Sequence, residues 1–358
     1  MADFLRNIYK WYNQNQRDLP WRKTNDPYKI WISEIILQQT RVAQGTNYYL
    51  KFIERFPTVY DLANADENDV LKLWQGLGYY SRARNLHFAA KQIIENHNGV
   101  FPSDYNAIIN LKGIGPYTAA AVSSIAFNLP YPALDGNTYR VLARYFGIST
   151  PVNSEKGKKE FLKTAQELIP ENDPGFHNQA LMEFGALQCV PGNPDCIGCP
   201  VFHSCYAARQ SQVNQLPVKT GKSKQRIRYF YYYFFDAGKE TWLEKRTGND
   251  IWKNLYQFPL AESRTKLTEE EMLVRTPSTN SRCPLQVKSV SPYQKHILSH
   301  QIIYARIIHI EIKKNCLPEN QYLKIKKEDF SLYPVSRLME LLTRKIDFFE
   351  KHKKIKVN

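Results

Sequence analysis

LKGIGPYTAAAV, residues 111–122, places two glycines and a proline at the mouth of an alanine-rich helix. Gly113 and Gly115 allow a tight turn that a side chain would block. Pro116 then opens the helix, so the backbone N–H groups around residues 113–118 point outward. Such a helix start holds a phosphate without reading base sequence. An ordinary connector between two helices has the same G-x-G form. The helical signals on both sides and the basic composition favour a helix–hairpin–helix that meets nucleic acid.

Those helical signals run through most of residues 1–205. DPYKIWISEIILQQTRV starts with Asp26 as an N-cap and Pro27 in the first turn. NDVLKLWQGL, SRARNLHFAAKQIIENHNG, GNTYRVLARYFG and EKGKKEFLKTAQELI repeat the same three-to-four apolar spacing. No strand is expected before residue 225. QSQVNQLPVKTGKSKQRIR carries Lys219, Lys222, Lys224, Arg226 and Arg228 and no acid, and reads as a solvated linker. Beyond it RYFYYYFFDAG, TWLEKRT and HQIIYARIIHIEI are aromatic and β-branched like strands. Helical stretches follow at EEEMLV and SRLMELLTRKIDFFEKH, and the tail KHKKIKVN is a solvated basic end. The expected division is a helical domain over 1–209, a basic linker over 210–227 and a small α+β domain over 228–358.

The chain of 358 residues has 49 Lys+Arg against 34 Asp+Glu, a formal charge of +15, which favours a polyanionic partner. No run approaches the length of a membrane-spanning helix, and the first residues lack an apolar signal core. A cytoplasmic protein is expected, nucleoid-associated if bacterial. Cys189, Cys196, Cys199 and Cys205 cluster as C-x6-C-x2-C-x5-C, while Cys283 and Cys316 stand apart. Four thiolates so spaced can hold zinc or a [4Fe–4S] cluster; a single short pair leans towards iron–sulfur.

Two carboxylates draw notice. Glu34 lies one turn after Ile30 and one before Leu37, on an apolar stripe where burial would keep it protonated; a solvent-facing glutamate is the alternative. Asp135 sits in LDGN, a turn in which Asn137 would cap the next helix.

The hairpin, LDGNTYRVLAR and the cysteine run together resemble the endonuclease III superfamily of base-excision glycosylases. RDLPWRKTNDPYKIWISEIILQQTRV and WQGLGYYSRARNLHFAA are more closely similar to the adenine DNA glycosylases, the MutY family, over residues 5–218. The remainder resembles that family's Nudix-like domain more loosely. The resemblance implies a multidomain protein, an all-α glycosylase domain followed by an α+β Nudix-like one. It implies a [4Fe–4S] cluster and a substrate of double-stranded DNA carrying A:8-oxoG or A:G mispairs, bound by a monomer.

By the same resemblance Glu34 is the catalytic acid and Asp135 the carboxylate that stabilises or traps the sugar cation, with Tyr117 and Asn137 as supporting groups. Tyr117 stands where strand-cutting relatives carry a lysine, so base removal without strand cleavage is implied. Arg17, Trp21, Arg22 and Leu37 match the adenine pocket, joined by Gln179, where some relatives have glutamate. Gln39, Thr40, Leu77 and Tyr79 match positions that enter the DNA when a nucleotide is flipped out. Ser299 and His300 match a Phe-Ser-His loop that reads oxidised guanine, with Leu298 replacing the aromatic. No run resembles the Nudix catalytic box, so that domain is expected to bind and not to hydrolyse. Two other functions fit the composition: a bifunctional oxidised-pyrimidine glycosylase-lyase, opposed by Tyr117 and the C-terminal domain, and a non-catalytic DNA scaffold, opposed by Glu34 and Asp135.

Overall fold

A computed structural model describes residues 2–221, 225–277, 285–313, 321–344 and 346. Lys222, Lys224, Cys283, Cys316 and the KHKKIKVN tail lie outside the described residues. The chain forms two compact units, and neither is continuous in sequence. One comprises Met1–Asn64 with Asn85–Gly221; the other comprises Ala65–Arg84 with Lys222–Asn358.

The first unit is helical. Its elements are α1 (Ala2–Asn15), α2 (Pro27–Leu37), α3 (Val42–Arg55) and α4 (Val59–Ala63). The chain then leaves through α5 (Glu67–Leu73) and the first turn of α6 (Ser81–His97). It returns for α7 (Tyr105–Ile109), α8 (Pro116–Phe127), α9 (Gly136–Phe146), α10 (Glu155–Leu168), α11 (Pro174–Leu187) and α12 (Tyr206–Arg209). Asp26 does cap α2 by accepting from the Tyr28 amide, and Pro27 occupies its first turn. Of α2, everything from Ile30 to Ile36 is buried, because IWISEIIL leaves no polar face to solvate. It packs against α3 and α8.

The second unit is built on β1 (Arg226–Asp236), β2 (Glu240–Lys245), β3 (Tyr256–Gln257), β4 (Leu260–Ser263), β5 (Gln286–Val290), β6 (Gln294–Ile297), β7 (Gln301–Glu311) and β8 (Leu323–Lys326). One sheet runs β4-β1-β7-β5, with β6 also paired to β7; a smaller one runs β3-β2-β8. Strand β1 is parallel to β7 and antiparallel to β4. Its run Phe230–Phe235 is wholly buried, and alternate residues enter two cores: Phe230, Tyr232 and Phe234 one, Tyr231, Tyr233 and Phe235 the other. Helices α13 (Glu269–Val274) and α14 (Arg337–Thr343) complete it.

Three expectations change. Asp135, not Asn137, caps α9, accepting from the amides of Asn137 and Thr138. Residues before 221 are no solvated tether: Leu216 is buried, Val218 accepts from the Val152 amide, and Arg144 donates to the carbonyls of Val213 and Leu216. Gly113 and Gly115 also differ. Gly113 has φ +81°, and a Cβ there would meet Asn85 Cβ at 2.6 Å. Gly115 has φ −102° and open space around its missing Cβ. Only the first is required by the fold. We expect Gly113→Ala to lower stability by about 1–3 kcal/mol, and Gly115→Ala to stay within ~0.5 kcal/mol, measured by denaturant unfolding of both variants.

Candidate active site

A cavity of about 780 Å³ opens in the helical unit, lined by residues of α2, α8, α9 and α11. Glu34 enters it from α2 with 7% of its surface exposed. Tyr117, in the first turn of α8, donates its hydroxyl to Glu34 Oε2 at 2.6 Å. Burial pushes the Glu34 carboxyl up to about 7. Asp135 adds to this rise, while the Tyr117 bond and Arg22 oppose it. The Tyr117 hydroxyl is itself held well above its ordinary value by burial and by the two carboxylates.

Asp135 faces the same cavity from the N-terminus of α9. Its Oδ1 accepts from the Asn137 and Thr138 amides at 2.9 and 2.7 Å, and its Oδ2 from Asn137 Nδ2 at 2.7 Å. Burial raises its pKa, and these donors pull it back. Asn137 is fixed in turn by Arg140, which donates to its Oδ1 at 2.9 Å and to the Gly185 and Cys189 carbonyls. A buried carboxyl with a raised pKa therefore shares a cavity with one surrounded by hydrogen-bond donors. Such a pair of carboxyl groups in unlike surroundings can divide acid and anionic roles between them.

Arg17, Trp21, Arg22, Leu37, Gln39, Thr40 and Gln179 line this cavity as well. Trp21 is buried edge-to-face against Tyr49. Sequence reading missed Glu183, 1% exposed on α11. Arg17 donates its amide and Nε to Glu183 Oε1 at 2.9 and 2.8 Å and its Nη2 to Oε2 at 2.5 Å. Arg22 adds bonds of 3.0 and 2.8 Å. Burial alone would raise this carboxyl, but the two guanidinium groups outweigh it and hold it at about 2. The available signal was an acid one turn after Gln179 in the otherwise apolar run ALMEFGAL.

Leu77, Tyr79, Ser299 and His300 lie elsewhere, and together. All four line a cavity of about 520 Å³ in the second unit. Ser299 and His300 form the tip of the β6–β7 hairpin, closed by the Leu298 amide on the Gln301 carbonyl at 2.8 Å. Their side chains approach at 3.2 Å, and Leu298 packs against the core. Tyr79 is exposed with φ +47°, and Arg82 stacks on both Tyr79 and Trp74. Leu77 is buried.

Cys189, Cys196, Cys199 and Cys205 line a small pocket beside α9. Arg144 Nη1 reaches Cys189 Sγ at 3.4 Å and donates to the Val190 carbonyl at 2.8 Å. Among the described residues no three His, Cys, Asp or Glu side chains converge tightly enough for a single metal ion. The four thiols that line this pocket are the donor set that an iron–sulfur cluster takes.

The model of the HhH-GPD superfamily base excision DNA repair protein matches residues 32–171, and a NUDIX domain model matches residues 230–345. The adenine DNA glycosylase of Buchnera aphidicola subsp. Baizongia pistaciae is 37% identical over 313 residues, 87% of either chain. The human adenine DNA glycosylase is 40% identical over 222 residues, 60% of this chain and 41% of the human one. Among solved structures, a thermostable thymine-DNA glycosylase is 33% identical with a TM-score of 0.54, covering 58% of this chain and 95% of its own. A non-covalent endonuclease III–DNA complex, 24% identical with a TM-score of 0.51 over 58% of this chain and 94% of its own, shares the fold. With a Nudix-type unit following the helical one, and identity sustained along most of the length of the Buchnera relatives, the chain belongs to the adenine DNA glycosylase family of the HhH-GPD superfamily.

Proposed function

We propose that the protein excises adenine mispaired with 8-oxoguanine or guanine in duplex DNA, leaving an abasic site. The convergence of Glu34, Tyr117 and Asp135 on one cavity carries this reading. Adenine leaves poorly as an anion. Glu34, still protonated near neutral pH, delivers a proton to a ring nitrogen as the N-glycosidic bond lengthens. The sugar becomes oxocarbenium-like, and the Asp135 carboxylate stabilises or traps it before water completes the reaction. Tyr117 orients Glu34 through its hydroxyl and offers no amine to the sugar. The enzyme therefore removes the base and leaves the strand intact.

Arg17, Trp21, Arg22, Leu37 and Gln179 line the space that receives the flipped adenine. Gln179 can hydrogen-bond the base but cannot serve as a second acid, so proton supply rests on Glu34. Gln39 with Thr40 in the first unit, and Tyr79 with Leu77 in the second, are assigned to contacts with the DNA as the nucleotide is flipped out; both Gln39 and Tyr79 have positive φ, which sets them on sharp turns. Gly113 and the uncapped start of α8 at Gly115 meet a phosphate. Ser299 and His300, exposed at their hairpin tip, meet the N7–O8 edge of the opposite base. The four cysteines hold a [4Fe–4S] cluster, which when bound supplies a rigid cross-link at the end of the helical unit.

Single-turnover release from duplexes bearing A opposite 8-oxoguanine, guanine or thymine tests the reading. Glu34→Gln should slow release by at least ~10²-fold while keeping mismatch affinity; wild-type rates would refute the assignment. Strand breaks should need alkali, and borohydride should trap no adduct. Ser299→Ala should narrow the preference for 8-oxoguanine over guanine. Purified protein should be yellow-brown, whereas colourless, active protein containing zinc would exclude the cluster. The same acid substitution should stabilise the fold. The unfolded chain releases the Glu34 proton near 4.5, but the folded chain keeps it up to about 7, so stability falls as pH rises between them. Glu34→Gln removes that loss, a gain of up to ~3 kcal/mol near pH 8 and little below pH 4.5, read from thermal unfolding at both.

A further inference from the structure

The Glu183 ion cluster does more than hold the RDLPWR loop. One carboxylate receives five hydrogen bonds from Arg17 and Arg22, inside the cavity that contains Glu34. Removing its charge would leave two guanidinium groups unbalanced there. A cation near a carboxyl favours the ionised form, the wrong one for an acid. The other charged or titratable groups lining the cavity are Tyr117 from α8, Asp135 and Arg140 from α9, and Arg41 ahead of α3. Tyr117 donates to Glu34, and Asp135 opposes its ionisation. Arg140 is engaged with Asn137 and the Gly185 and Cys189 carbonyls. Arg22 acts on Glu34 in the opposite sense to Asp135.

We infer that Glu183 is a positioning residue with a second duty: its carboxylate screens the Arg17–Arg22 charge, so that Glu34 keeps the proton it must deliver. This rests on Glu34 being the acid. It explains why an adenine pocket with two arginines can hold an uncharged carboxyl. Arg22 stays fixed at the pocket wall for hydrogen bonding while its net field on the acid is reduced.

The test is single-turnover adenine release by the full-length holoprotein between about pH 5 and 9. Wild-type release should decline above about pH 7, where Glu34 ionises. In Glu183→Gln that decline should begin about one pH unit lower, the order expected for one unbalanced charge at an effective dielectric constant of ~20. The slowing should be ~10-fold greater near pH 8 than near pH 5. Adding Arg17→Gln cancels the extra charge and should return the inflection towards wild type. A slowing by one factor at every pH, or no recovery in the double variant, would overturn the inference and leave Glu183 a loop anchor. If Glu183→Gln does not fold, Arg17→Gln and the double variant differ by the same charge, and the double must have the lower inflection. Wild-type activity in Glu34→Gln would instead overturn the acid assignment, which separates the two failures.

Discussion

Burial of Glu34 on a helix with no polar face governs the site. Ile30, Trp31, Ile32, Ile35 and Ile36 draw α2 into the core, and the glutamate goes with them. An ionised carboxylate is costly in such surroundings, a neutral one much less so. The neighbours follow from that choice. Tyr117 supplies a hydroxyl and no charge, Asp135 is satisfied by the amides of its own helix start, and Arg17 and Arg22 share the one carboxylate of Glu183. Three carboxyl groups share a cavity, and their environments shift them differently: Glu34 and Asp135 upward, Glu183 downward.

How much of this the sequence made legible depends on the range of the interaction. Local patterns carried far. The Asp26 cap, the apolar stripe around Glu34, the turn at Gly113 and the alternating aromatic strand each lie within a dozen residues. Long-range pairs were invisible. Arg17 and Glu183 are 166 residues apart, and an acid in ALMEFGAL has no local mark that distinguishes a clamp from a surface charge. The basic composition of 210–227 suggested a solvated linker, yet one leucine, Leu216, and the backbone carbonyls claimed by Arg144 suffice to dock its first part. Tyr79 and Ser299 were read as separate motifs; their shared cavity depends on contacts across more than two hundred positions.

Arg140 and Arg144, one turn apart on α9, face the interior with both guanidinium groups spent on backbone carbonyls. Arg140 links the Cys189 carbonyl to Asn137, and Asn137 holds Asp135. The cysteine loop is thus three hydrogen bonds from the Asp135 carboxylate. Order in that loop and order at Asp135 are tied through Arg140 and Asn137.

The excursion of residues 65–84 into the second unit has a different consequence. Within that unit Tyr80 donates to the Val335 carbonyl, Arg84 to the Lys253 carbonyl, and Asn254 to Glu67. The polypeptide therefore passes between units three times, near residues 64, 84 and 221. Such an arrangement resists modular inheritance. A recombination that exchanged everything after residue 221 would leave twenty residues, fixed in the other half of the gene, to fit a foreign partner. The second unit is thus written in two separate stretches of the gene, and a change at Lys253, Asn254 or Val335 is met by partners between Ala65 and Arg84.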